Sequence, residues 1–188
     1  MTGGHGRTAR SDGPETRAVN LAPVRWREES HRTHVYKVRC QWSGSTGPGY
    51  DTYDREHTAS APPASPNLSL SADPAFLGDR DLLNPEQLLV MAAASCQLLS
   101  FLAVAARARI DVLAYEDEAE GVMADDDPPT RITSIWLRPT IRVAAGVSED
   151  RVRHLAEVAH RECYIANSLR TEVHVEPTVV VQQPAARP

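Results

Sequence analysis

From Leu88 to Ala106 the chain runs 19 residues without a formal charge, with a cysteine, Cys96, near the middle of the run. Few structures can accommodate such a stretch. By length alone it qualifies, at the margin, as a membrane-spanning helix. Its composition argues otherwise: it is rich in alanine, it carries Ser95, Gln97 and Ser100, and neither a second span nor clear interfacial aromatic anchors accompany it. A helix apolar all round is otherwise one buried on every side, and that is the expectation for a helix running to about Arg109. Its start is well marked. Asn84 is a good N-cap, Pro85 is preset for the first turn, and Gln87 can complete a capping box.

Around this helix the chain alternates. "THVYKVRCQWS" (33–43) and "YDTYDREHTAS" (50–60) read as two strands of a hairpin. Residues 61–83, broken by Pro62, Pro63, Pro66 and Pro74, read as a long loop of the kind that forms a lid or a site wall. Strands are expected over 113–126 and 130–146, the second at an edge or bulged because of Pro139. Ser148 caps an amphipathic helix with Val152, Leu155, Val158 and Ala159 at helical spacing, and "EVHVEPTVVV" is a last strand. Hairpins followed by helices, in the order β-β-helix-β-β-helix-β, point to an α+β fold with antiparallel sheet.

The length of 188 residues suits one domain with tails. Residues 1–30 are Gly-, Arg-, Ser- and Pro-rich and read as a disordered tail, 31–182 as a single domain, and 183–188 as a second tail. A net charge of −5 gives no sign of nucleic-acid binding or of a membrane-surface patch. The N-terminus lacks the apolar stretch of a signal peptide, so a reducing cytoplasm is the expected compartment. Three cysteines, Cys40, Cys96 and Cys163, are too few and too widely spaced for a disulfide-stapled scaffold.

Cysteine chemistry needs the thiolate. Cys96 lies about twelve residues into its helix, beyond the reach of the positive N-terminal end, whose effect fades after the first turn. Its alanine and leucine neighbours disfavour a charge. A reactive Cys96 therefore needs a cation from elsewhere, and arginine stays charged when buried; without one, Cys96 is a small core residue. Cys163, in "HRECYIANSLR" (160–170), closes the second helix. His160 and Cys163 share a helix face, but no further ligand pair joins them as zinc would require. Cys40 reads as a packed strand residue.

These residues carry a resemblance. "NPEQLLVMAAASC" resembles the Asn-Pro-Glu-x-Leu-(x)7-Cys signature of the OsmC/Ohr family, the osmotically inducible and organic hydroperoxide resistance proteins. "ECYIANSLR" is similar to that family's second-cysteine motif, and the likeness spans about residues 34–180. It implies antiparallel sheets wrapped around long central helices in an intertwined homodimer. It implies Cys96 as peroxidatic nucleophile, Cys163 as the cysteine that resolves it, Glu86 as the motif glutamate, and Arg55 as the arginine that holds the thiolate. The implied function is a thiol-dependent peroxidase reducing organic hydroperoxides in stress defence, without bound cofactor or metal, recycled by an external dithiol reductant. The alternative is a non-enzymatic relative that binds a small molecule or acts as a stress-associated module.

Helix geometry constrains this reading. Glu86 and Cys96 are ten residues apart, about 15 Å along one axis, and cannot touch within a chain. They meet only if a second copy of the helix packs antiparallel, for which Ala92–Ala94 with Ser95 offer a thin surface. A two-fold homodimer would also explain a helix apolar on every face. The disulfide requires Cα atoms within about 4.4–6.8 Å, or movement into that range. Leu88, Leu89, Met91, Leu99 and Phe101 are expected to wall the cavity and favour organic over hydrogen peroxide.

Overall fold

The computed structural model describes residues 33–126 and 128–183. The tail expected over 1–30 lies outside them, as does all of the second tail except its first residue. The chain divides at Tyr36–Lys37, and every helix and strand belongs to the unit from Lys37 onward.

The uncharged run forms helix α1, Pro85–Arg107, and its start is locked by side chains. Asn84 accepts the Gln87 N–H at 2.8 Å while Gln87 Oε1 accepts the Asn84 N–H at 3.1 Å, so a full capping box forms. At the other end Arg109 takes a left-handed conformation, φ 57°, and the Ile110 N–H turns back to the Ala105 carbonyl. One face of α1 is buried, through Ala93, Gln97, Phe101, Val104 and Ala105. The opposite face is not. Met91, Ser95, Leu99, Leu102, Ala103 and Ala106 are exposed, and their spacing makes a single stripe along the helix. The expectation of burial on every side is thus met on one side only within a single chain.

Strands β1 (Arg39–Gln41), β2 (His57–Ser60) and β3 (Asn67–Leu70) form one antiparallel sheet in that order. The two expected hairpin strands are shorter than their alternation predicts, and Arg55 precedes β2 instead of lying in it. The Pro-rich stretch was expected to be all loop, yet it supplies β3, because "NLSL" between prolines is free to pair. After β3 the chain folds tightly on itself. A Cβ at Gly78 would stand 1.7 Å from the Ala72 carbonyl oxygen, so only glycine fits. Ser71 Oγ accepts the Asp79 N–H, and Asp73 Oδ2 accepts from the Asn84 side chain at 3.1 Å. This segment is a fixed wall at the head of α1.

The remaining strands are three ribbons, each bent once. β4 (Val112–Asp117) and β5 (Glu120–Met123) form the first, β6 (Ile132–Leu137) and β7 (Pro139–Val143) the second, β8 (Glu172–Val175) and β9 (Thr178–Val181) the third. They make two sheets, β4-β7-β9 and β5-β6-β8. The first two ribbons pair antiparallel; the third joins the second in parallel in both sheets. Parallel pairing needs a crossover, here α2 (Glu149–Arg161) and the short α3 (Tyr164–Ser168). Arg138 pins the bend: its guanidinium meets Glu120 at 3.1 Å and Glu176 at 3.6 Å, and its N–H donates to Asp117 at 2.8 Å. Pro139 fits because it opens β7.

Two core clusters result. One joins Phe101, Val104 and Ala105 of α1 to Ile141 and Val143 of β7 and to Val152, Ala156 and Ala159 of α2. The other joins Ala93 to Ile132, Ile135 and Leu137. Phe101 is fully buried and packs on Tyr115 with ring centroids 5.8 Å apart. Phe101→Ala is expected to lower unfolding free energy by about 3–5 kcal/mol, read from urea unfolding curves; a loss under about 1 kcal/mol would contradict this packing.

Candidate functional site

The chain ends α2 at Arg161 and restarts as α3 at Tyr164, and the break between them carries Cys163. The Ile165 N–H, in the first turn of α3, donates to Cys96 Sγ at 3.5 Å. That bond ties α3 to the middle of α1. Cys163 is only 1% exposed, and Cys96 is near enough to act on its thiol. Cys96 itself is half-buried and opens onto a cavity of about 490 Å³ beside Leu99, Ser100, Tyr164 and Ile165. So one sulfur faces a cavity and the other stands behind it. Both are free thiols, as is the exposed Cys40.

The other two expected residues sit elsewhere. Arg55 and Glu86 line one cavity of about 460 Å³, with Trp42, Tyr53, His57 and Phe76. Its floor is the head of α1; its walls are the β1–β2 loop and the segment after β3. The Arg55 guanidinium stacks over the Tyr53 ring at 4.1 Å and the Tyr50 ring at 4.8 Å. It donates to the Tyr53 carbonyl at 2.9 Å and to the Tyr50 carbonyl at 2.7 Å. Its loop therefore holds it by two hydrogen bonds and two ring faces. Glu86, in the first turn of α1, complements the helix dipole as well as facing this cavity.

The four residues thus fall into two pairs at different places in the chain. Cys96 and Cys163 meet; Arg55 and Glu86 share a cavity; the pairs do not share one. The cation in the Cys96 cavity of the same chain is Arg107, which no sequence motif singles out, ion-paired to Glu162 at 2.6 Å. The expected apolar wall needs correction. Leu99 lines the Cys96 cavity and Met91 a separate groove beside Glu86, whereas Phe101 is in one core cluster and Leu89 packs against the other. One helical face cannot present all five. Among the described residues no group of three or more His, Cys, Asp and Glu could hold a metal ion.

Burial is the main influence on the thiol behind. It pushes Cys163 up to about 11, with Cys96 adding to the rise and the N–H groups of Ala166 and Ile165 opposing it.

Residues 78–178 match the family model of the OsmC-like proteins. The chain belongs to the OsmC-like family. The fold is shared with an OsmC-like protein of unknown function from Vibrio cholerae O1, at a TM-score of 0.69 and 29% identity over 78% of this chain and 100% of that one. An organic hydroperoxide resistance protein from Elizabethkingia anophelis matches at a TM-score of 0.61 and 18% identity, covering 81% of this chain and 99% of the other. The organic hydroperoxide resistance protein OsmC from Legionella pneumophila matches at 0.58 and 17%, covering 80% and 99%. No curated protein sequence matches the chain significantly. The family match covers α1, strands β4 to β8 and the cysteines Cys96 and Cys163, but not Arg55 or its loop.

The raised Cys163 value predicts a pH effect on stability. The protonated thiol is favoured by folding, so its contribution is full below the ordinary value of 9.0 and is lost as pH rises through about 11. Denaturant melts at stepped pH should show the wild type weakening over that window and Cys163→Ala weakening less. Equal slopes would place Cys163 in solvent.

Proposed function

We propose that the protein is a thiol-dependent peroxidase that reduces organic hydroperoxides to alcohols. The observation that carries this is the placement of the two thiols, with α3 held to Cys96 by the Ile165 N–H, Cys96 open to a cavity and Cys163 buried. The Cys96 thiolate attacks the distal oxygen of ROOH; the O–O bond breaks, ROH leaves with a proton, and Cys96 becomes a sulfenic acid. The sulfur of Cys163 then displaces hydroxide from Cys96, giving the disulfide and water. An external dithiol takes up the disulfide and restores both thiols.

The thiolate needs its cation, and a second protomer supplies it. The exposed apolar stripe of α1 packs against its own copy, antiparallel, which sets Glu86 and Arg55 of one chain beside Cys96 of the other. The two cavities, of about 460 and 490 Å³, then join into one site. Burying Met91, Leu99 and Leu102 also removes a contiguous apolar patch that a soluble monomer rarely leaves open. In this reading the enzyme is a soluble cytoplasmic homodimer whose dry site prefers organic peroxides.

One observation favours a second reading. Arg55 is already satisfied by its own loop, by two carbonyls and two tyrosine rings. A relative that binds a small molecule without turnover would keep it there.

Consumption of cumene hydroperoxide with a dithiol reductant separates the two. Turnover that Cys96→Ser abolishes supports the peroxidase; no turnover in wild type favours the binding module. Cys163→Ser should accumulate a sulfenic acid that dimedone traps, and its absence would remove the resolving role. Light scattering should return a dimer, and a monomer at working concentration would end the shared-site account.

A further inference from the structure

One proton of the proposed reaction has no donor yet. Breaking the O–O bond of ROOH leaves an electron pair on an alkoxide, a strong base. A positioned acid that protonates it as it departs contributes about 10²–10⁴-fold in rate. The candidates are the side chains that share the cavity of Arg55 and Glu86. Arg55 cannot release a proton. Glu86 and Asp73 enter as carboxylates, which only accept. Asp73 already accepts at both oxygens, from the Ala75 N–H at 2.8 Å and from the Asn84 side chain at 3.1 Å. Ser71 Oγ is taken up by the Asp79 N–H, and the Tyr53 ring lies under the Arg55 guanidinium.

His57 remains, and imidazole is the side chain that ordinarily exchanges a proton near neutrality. Exposure alternates here: Tyr53, Arg55 and His57 are half-buried while Asp54, Glu56 and Thr58 are exposed, which sets Arg55 and His57 on one side of the chain. Both line the same cavity. His57 Nδ1 lies 3.0 Å from the Arg55 carbonyl oxygen. A carbonyl only accepts, so Nδ1 carries a hydrogen there and Nε2 is the nitrogen left to gain and lose one. The ring is thereby held by the backbone of the residue whose guanidinium serves the site. His57 also borders a second cavity, of about 470 Å³, which it shares with the exposed Asp54, Glu56 and Thr58. One imidazole thus touches both the cavity of Arg55 and Glu86 and a polar cavity on the solvent side.

The geometry points to His57 as the general acid that protonates the departing alkoxide. This rests on the peroxidase reading and deepens it, since His57 comes with Arg55 and Glu86 to Cys96 of the other chain. In the step, the Cys96 sulfur, its own proton already lost to solvent, forms an S–O bond to the distal oxygen of ROOH as the O–O bond breaks. The electron pair of that bond goes to the proximal oxygen, which takes the proton from His57 Nε2 and leaves as ROH. The sulfur is oxidised to the sulfenic acid, and the peroxide is reduced by the same two electrons. His57, now neutral, regains its proton from solvent through the polar cavity.

The leaving group provides the test. An alkyl hydroperoxide such as tert-butyl hydroperoxide must expel an alkoxide, whereas peracetic acid expels acetate, a carboxylate stable without a proton at neutral pH. The reduced protein is mixed with either oxidant at neutral pH and quenched with N-ethylmaleimide, and the loss of free Cys96 is followed by mass spectrometry of its peptide. Two variants are compared with wild type: His57→Gln, and His57→Asn, which keeps a donor for the Arg55 carbonyl. Both should slow oxidation by tert-butyl hydroperoxide about 10²-fold, and the loss should shrink to within about threefold with peracetic acid. A loss equal for the two oxidants would overturn the assignment, because a displaced Arg55 would slow both. Variants as fast as wild type with tert-butyl hydroperoxide would overturn it too. Failure of the peroxidase reading itself looks different: wild-type Cys96 would then be oxidised no faster than the exposed Cys40 by either oxidant.

Discussion

A straight helix of 23 residues sets the terms for everything at this site. Because α1 is rigid, Glu86 in its first turn and Cys96 at its middle are held about 15 Å apart. Each end of that interval collects different neighbours. The head of α1, locked by the Asn84–Gln87 box and the fold around Gly78, meets the loop that carries Arg55. Its middle meets α3, through the Ile165 N–H on Cys96. Within one chain the two pairs of residues stay apart, and an uncovered stripe of Met91, Leu99 and Leu102 runs along the same helix.

The bent ribbons serve the buried half. Arg138 ties Asp117, Glu120 and Glu176 at one corner, where the sheet β4-β7-β9 gives way to β5-β6-β8. Cys163 lies at the break between α2 and α3, where its thiol is shielded and its proton is hard to lose. A shielded second thiol limits adventitious oxidation, because exposure governs that susceptibility.

Much of this was legible in the chain. The capping residues, the uncharged run and the spacing of α2 are local signals, and they fixed both long helices closely. The two motifs around Cys96 and Cys163 named the thiol pair although 67 positions separate them (163 − 96). What failed to show is mostly tertiary. Alternation continues across Arg138 and Glu176, so each bent ribbon reads as one long strand, and the bend appears only once the ion pairs form. Strand β3 hid among prolines because four residues give too short a period. Arg107 carries no pattern of its own; it reaches the Cys96 cavity only by its place on α1.

The central claim is that one site takes its sulfurs from one protomer and its arginine from the other. Mixed dimers of Cys96→Ser and Arg55→Ala chains, isolated with two different tags, measure it directly. Each parent dimer should lack cumene hydroperoxide turnover, while the mixed dimer should recover about half of the wild-type rate, since one of its two sites is then intact. A mixed dimer as inactive as its parents would contradict the claim, because each chain's own site would then carry one of the two defects.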